Sequence, residues 1–323
     1  MLDADILVVG AGPVGVFTAI LLVKFGFKIR IIDQYPEPIG NGSQACCVNS
    51  RTLEFLHSID PALAQEVLLA ATTFTHTYWY RNGALIMQKI PIQSDSRFTH
   101  TTHLQQSRYM EILTAHLACQ GVHIERSTRL VDFEGRFEGD GVSAMIEDLE
   151  TSATSTVEIA YLIGADGIKS VTRMRLGISI KDICPTMSWH MMDAIIGHST
   201  LPTIGERNRI ENKYGTVHSV AIGGGFHRFS LHICSDITGD LGQEEMIERI
   251  KLIVLPFEIE FKTVDRFFRY NLNHFVAEEF SQDRVFLVGD AAHNFSPICG
   301  LSLNTGLADR SVGSLCFAVS TSE

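Results

Sequence analysis

Ile6-Leu7-Val8-Val9 is a continuous apolar run rich in β-branched residues, the pattern of a strand buried on both faces in a parallel sheet. From Val14 to Lys24 the spacing becomes helical, with Phe17, Ile20, Leu21 and Leu22 on an apolar face and Gly26 placed to end the helix. Lys28–Ile32 predicts a second strand with Asp33 at its end, completing a β-α-β unit of about thirty residues. Val142–Glu147 and Val157–Ile163 alternate as two strands joined by the polar stretch Thr151–Ser155. Val217–Ile222 and Phe226–Ile233 flank Gly223-Gly224-Gly225, and Phe229, Leu231 and Ile233 alternate with Arg228, Ser230 and His232. That pattern predicts a hairpin with one apolar and one polar face. Two further apolar strands end in charged turns: Tyr161–Gly164 before Asp166-Gly167, and Arg284–Val288 before Gly289-Asp290. No internal repeat or long linker interrupts the chain.

The length of 323 residues allows about two domains. With 45% hydrophobic and 20% charged residues the composition is globular, which excludes a disordered or low-complexity chain. A net charge of −11 disfavours nucleic acid and anionic membranes as partners, and leaves room for a locally positive pocket for one phosphate-bearing ligand. The seven cysteines are odd in number and contain no C-x-x-C, so neither a disulfide framework nor a zinc ribbon is expected, and no metal site is assigned. No secretory leader and no apolar run of membrane-spanning length is visible, so a cytoplasmic protein is expected.

The first strand leads into Gly10-Ala11-Gly12-Pro13-Val14-Gly15, a G-x-G-x-x-G. In that setting Gly10 permits the tight turn, Gly12 lets backbone approach a pyrophosphate, and Gly15 lets the helix pack close to the strand. The free N–H groups and positive end of the helix face the phosphates, and Asp33 can accept hydrogen bonds from ribose hydroxyls. The alternative is a glycine-rich turn in an α/β domain without ligand. The fingerprint alone does not separate FAD from NAD.

The glycine fingerprint, the Asp166-Gly167 segment with Ser170 and Arg173 after it, and the Gly289-Asp290-Ala291-Ala292-His293 segment with Pro297, Gly300 and Asn304 after it occur in an order that resembles the FAD-dependent aromatic hydroxylases. These are single-component flavoprotein monooxygenases. Ser50-Arg51-Thr52-Leu53-Glu54, Gln106 before Glu111-Ile112-Leu113, and Trp189 with Asp193 resemble the phenol hydroxylase-like branch. The resemblance implies an α/β fold, a Rossmann-like FAD-binding domain with an antiparallel-sheet substrate domain over the flavin. It divides the chain into 1–179 (FAD-binding, first part), 180–275 (substrate) and 276–323 (FAD-binding, last part). It implies FAD as cofactor, NAD(P)H as co-substrate, O2, and a small-molecule aromatic substrate, with a homodimer as one compatible assembly. Gly10, Gly12, Pro13 and Gly15 would hold the pyrophosphate and Asp33 the adenosine ribose. Arg51 and Gln106 would contact the FAD backbone, Asp166 the pyrophosphate or nicotinamide region, and Asp290 the ribityl or pyrophosphate region. Asn304 and its neighbours would offer backbone N–H groups to the flavin ring. The bland alternatives are a surface helix start for Arg51, a helix cap for Gln106 and a simple turn for Asp166. No catalytic side chain is singled out, and His293 reads as structural.

The sequence departs from that pattern in four places. Cys46-Cys47 stands where the family has Asp-Gly, whose Asp helps deprotonate the phenol, and a thiol of ordinary pKa about 8.5 is a poor substitute. Arg228-Phe229-Ser230 lacks the tyrosine of Arg-x-Tyr, leaving Arg228 for an anionic substrate or for the polar sheet face. Ser302 replaces a glycine, and carries a conformational penalty if that site needs positive φ. After Asp309 the family's amphipathic helix gives way to Arg310-Ser311-Val312-Gly313-Ser314, as in a truncated chain. Two alternatives to a monooxygenase therefore stay open: a truncated, catalytically impaired flavoprotein relative, and a flavin oxidase of altered chemistry.

Overall fold

The computed structural model describes residues 2–38, 47–90, 95–135, 141–232, 241–295 and 300–309. The predicted β-α-β unit is β1 (Ala4–Val9), α1 (Pro13–Lys24) and β2 (Ile29–Ile32), with β1 and β2 parallel and Val9 beside Ile32. The helix ends where Gly26, at φ +90°, takes the left-handed conformation that closes it. Next come β3 (Cys47–Val48), α2 (Ser50–Ile59) and α3 (Pro61–Ala70). Asn49 and Asp60 cap those two helices by accepting the Thr52 and Ala62 N–H groups at 2.9 and 2.8 Å.

The chain continues through β4 (Thr72–Thr73), β5 (Thr77–Arg81), β6 (Ala84–Lys89), β7 (Thr102–His103), α4 (Gln106–Cys119), β8 (Ile124–Glu125), β9 (Thr128–Gly135), β10 (Val142–Asp148), β11 (Thr154–Gly164) and α5 (Val171–Arg175). Then follow β12 (Ile180–Ser199), β13 (Arg207–Asn212), β14 (Gly215–Gly223), β15 (Phe226–His232), α6 (Gln243–Val254), β16 (Ile259–Ala277), β17 (Ser281–Gln282), β18 (Val285–Leu287), β19 (His293–Asn294) and α7 (Leu301–Leu307).

These elements form an α/β fold on two large sheets. In the first, β18-β11-β1-β2-β8 are parallel, as their near-continuous apolar runs require, while β9 and β10 add an antiparallel meander on β11. α1 and α4 pack with α2 and α3 in one cluster holding Ile6, Val8, Phe17, Ile20, Leu53 and Leu113. The second sheet runs β19-β16-β12-β15-β14-β13-β5-β6 and is antiparallel except for the β13–β5 pair. It therefore takes in residues 77–89, which the sequence reading left in the first segment. The Asn82-Gly83 turn explains that hairpin: both residues have positive φ, 49° and 81°, matching the twist of the strands they join. A small third sheet, β3-β7-β4, lies between the two.

α6 covers one face of the second sheet, packing Met246, Ile250 and Ile253 with Val217, Phe229 and Leu231 of the predicted hairpin. Gly223, Gly224 and Gly225 all have positive φ at its turn. The other face carries the polar residues, as the alternation predicts, and there Arg228 is only 2% exposed. Its Nε and Nη2 donate to the two Asp193 carboxylate oxygens at 2.7 and 2.8 Å, and Asp193 stands directly opposite it across β12 and β15. The arginine is thus held by a bidentate pair, which is how a charge survives burial. Replacing Asp193 by Ala leaves that guanidinium without its carboxylate. The variant is expected to lose about 3–5 kcal/mol of stability, read from urea unfolding at pH 7.

Candidate functional site

Three turns converge on the N-terminus of α1. Gly10 has φ +100°, and a Cβ there would stand 2.4 Å from the Ala165 carbonyl oxygen. A Cβ on Gly15 would stand 1.9 Å from the Gly10 carbonyl oxygen. Gly289, at φ +59°, and Gly306 both press on Val14, where added Cβ atoms would come within 2.9 and 2.7 Å of its Cγ2. Gly12 differs: its φ of −73° suits any residue, and nothing lies within 4 Å of the Cβ position. Pro13 occupies the first turn of α1, where its missing N–H costs nothing, and no side chain caps the helix. Open space beside Gly12 and an uncapped, positive helix end form a cradle that fits a pyrophosphate.

Asp33 sits at the end of β2, where its carboxylate accepts the Ala11 N–H at 2.7 Å and the Tyr35 N–H at 2.9 Å, with Arg126 at 3.8 Å. It braces the glycine loop and keeps lone pairs for further donors. Asp166 lies after β11, and its oxygens accept from Ser170 Oγ at 2.6 Å and from the Thr172 N–H and Oγ1 at 2.9 and 3.0 Å. Those bonds fix the start of α5. Arg173, in the same helix, donates to the Ala291 carbonyl at 2.7 Å and so ties the Asp-Gly segment to the Gly-Asp turn.

Asp290 follows Gly289 in that turn and accepts from Ser302 Oγ at 2.9 Å. Burial pushes its carboxyl above the ordinary carboxylate range, against the opposing effect of the Ser302 bond. The expected strain at Ser302 is not found. Positive φ falls instead on Gly300, at +61°, and Ser302 lies in the first turn of α7 with ordinary helical backbone. A Cβ on Gly300 would meet Cys47 at 2.8 Å, which packs the end of the Cys46-Cys47 segment against α7. Cys46 itself lies outside the described residues, as do Pro297 and everything after Asp309.

Asn304 is spent on the protein itself. Its Oδ1 accepts from the Asn49 N–H at 3.0 Å and Thr52 Oγ1 at 2.6 Å, and its Nδ2 donates to the Cys47 carbonyl at 3.0 Å. Its side chain fastens α7 to the start of α2. Arg51, by contrast, has a side chain 72% exposed and meets Glu54 at 3.5 Å, a contact worth little in water. Gln106 opens α4 half-buried. Trp189 is buried, 5.9 Å from the His218 ring.

No pattern along the chain marks His103. A single histidine in a two-residue strand carries no period. It is 4% exposed, pairs across strands with Cys47, and packs on Phe74 at 4.7 Å between ring centroids. Its Nδ1 has no hydrogen-bond partner. Burial first, and then the positive charges of Arg207 and Arg228, lower its pKa to about 3, so the ring is neutral at physiological pH. Among the described residues no group of three His, Cys, Asp or Glu side chains is placed to hold a metal ion. No helix among them is long and apolar enough to cross a membrane.

A parallel sheet whose glycine turn, Asp-Gly segment and Gly-Asp turn meet at one helix end defines a dinucleotide-binding α/β protein. Residues 3–312 match the family model of the FAD binding domain. An FAD-dependent monooxygenase of Aspergillus thermomutatus (ankC) is 27% identical over 94% of this chain and 55% of its own length. A phenol 2-monooxygenase of Aspergillus fumigatus (fsqG) is 23% identical over 94% of this chain and 53% of its own. Among solved structures, aklavinone-11 hydroxylase with FAD and aklavinone superposes at a TM-score of 0.83, with 22% identity, 99% of this chain covered and 62% of that one. The chain belongs to the FAD binding domain family, with FAD as its cofactor. It spans about half the length of the curated relatives it matches.

Two outcomes follow from this geometry. Gly15→Ala is expected to cost more than about 2 kcal/mol, because the methyl overlaps the Gly10 carbonyl, whereas Gly12→Ala should cost under about 1 kcal/mol. Urea unfolding of the two variants without FAD makes the comparison. His103 binds a proton more readily when unfolded, at an ordinary pKa near 6.5, than when folded. Its contribution is therefore complete above about pH 6.5 and is lost as pH falls toward 3, at up to about 1.4 kcal/mol per unit. Between pH 6.5 and 5 the protein should lose about 1.6 kcal/mol that His103→Gln does not lose.

Proposed function

We propose that the protein is a monooxygenase that uses FAD, NAD(P)H and O2 to hydroxylate a phenolic or related aromatic small molecule in secondary metabolism. The observation that carries the reading is the meeting of the three motifs around the open side of Gly12 at an uncapped helix end. The names of the relatives, FAD-dependent monooxygenase and phenol 2-monooxygenase, support the reaction class. The scattered cysteines, with no C-x-x-C among them and Cys119 outside any disulfide, support a reducing cytoplasm. A homodimer rests on the resemblance alone.

In this proposal Gly10, Gly12, Pro13 and Gly15 bring backbone to the pyrophosphate, and Asp33 takes the adenosine ribose. Asp166 and Asp290 flank the other side of the cradle, with Arg51 and Gln106 along the cofactor's length. The first turn of α7, held by Asn304, faces the ring with backbone N–H groups. Segments 1–179 and 276–323 make the cofactor half and 180–275 the substrate half, with residues 77–89 joining the latter's sheet. Bound FAD, once reduced by the nicotinamide, supplies the oxygen activation that no side chain provides.

Full-length protein titrated with FAD should give the absorption of bound oxidised flavin at close to one FAD per chain. A phenolic substrate should then speed NAD(P)H consumption and yield a product carrying 18O from labelled O2. Peroxide release with unlabelled product would make the protein an oxidase. A soluble, colourless protein that takes up no FAD would end the flavin reading.

A further inference from the structure

The Gly289-Asp290 turn is gripped from two sides. Arg173 holds its far end through the Ala291 carbonyl. On the near side, Asp309 Oδ2 accepts the Gly289 N–H at 2.6 Å, and Asp309 Oδ1 lies 2.8 Å from His293 Nε2. Both side chains are almost wholly enclosed, at 3% exposure for His293 and 5% for Asp309. His293 is fixed in turn by β19, where it pairs with Val276 of β16, and by ring contacts to Phe295 at 5.1 Å and Phe280 at 5.8 Å. The second sheet, through β16 and β19, thereby orients an imidazole, the imidazole orients a carboxylate, and the carboxylate sets the amide one residue before Asp290. A buried carboxylate with both oxygens occupied is costly to form without such partners.

We propose that His293 and Asp309 are positioning residues that hold the Gly289-Asp290 turn for the flavin-side half of FAD, while the adenosine half is held independently at the Asp33 end. The proposal rests on the FAD reading above. The two ends are separately braced. Asp33 takes its bonds from Ala11 and Tyr35, and Asp309 takes its bonds from Gly289 and His293. Loss of the couple should therefore separate the two halves of the ligand. Neither residue touches the cofactor in this scheme; both act through the position of Asp290.

The test compares FAD with ADP, which carries only the adenosine and pyrophosphate part, as ligands of the full-length apoprotein. Asp309→Ala should weaken FAD at least tenfold and leave ADP within twofold. Asp309→Asn keeps an acceptor for the Gly289 N–H and a donor for His293, so it should recover FAD affinity to within threefold of the parent. His293→Phe, which fills the ring's place without its nitrogen, should weaken FAD about threefold to tenfold with ADP again unchanged. Equal loss of FAD and ADP in Asp309→Ala would show a general structural role and overturn the proposal. Unchanged FAD affinity would do the same, as would an Asp309→Asn variant no better than Asp309→Ala. A parent protein that binds ADP but not FAD would also overturn it. One that binds neither would sink the cofactor reading itself.

Discussion

Everything in this molecule depends on how closely backbone can approach backbone at the start of α1. The β1–α1 turn lies under the strand end at Ala165, and Gly289 and Gly306 lie against Val14. At four of these glycines a single methyl would displace main chain or a neighbouring side chain. The fifth, Gly12, faces open space with an unstrained backbone. Tightness on all other sides and room on one is what turns a generic β-α-β crossing into a nucleotide cradle.

Around that cradle the acidic side chains work mainly on the protein. Asp33, Asp166 and Asp309 each accept at least one backbone N–H, and each bond fixes a different turn. Their negative charge is neutralised locally by peptide dipoles, which lets carboxylates stand beside a site suited to anions. Asp290 is the exception: the bond it accepts comes from a hydroxyl, Ser302, and burial favours its protonated form. The substitution of serine for glycine at 302 thus bears on the chemistry of the neighbouring acid rather than on the backbone.

Much of the cofactor half is legible in the sequence because parallel strands, glycine turns and helix caps are local. β1, α1, β2, the β10–β11 pair and the β14–β15 hairpin lie where apolar period and glycine placement put them. The second sheet was harder, because β5 and β6 join it across a long sequence gap through a parallel pairing no local pattern announces. Arg228 could not be told from a solvated residue without its partner 35 positions away, and His103 gave no pattern at all. Among the candidate residues, Gly10 and Gly15 were readable because their role is steric. Asn304 was harder, since an amide's partners are set by tertiary contact.

The Asn304 amide has a further consequence, for the way this protein is made. It bonds to groups 255 and 252 positions earlier in the chain. A ribosome adding about 5–20 residues per second needs roughly 12–50 s to cover that distance. During that interval the first β-α-β unit has been made, yet α7 does not exist to press against it. The start of α2 therefore waits for its Asn304 partner until α7 has been synthesised, and the cradle beside it is completed late in translation.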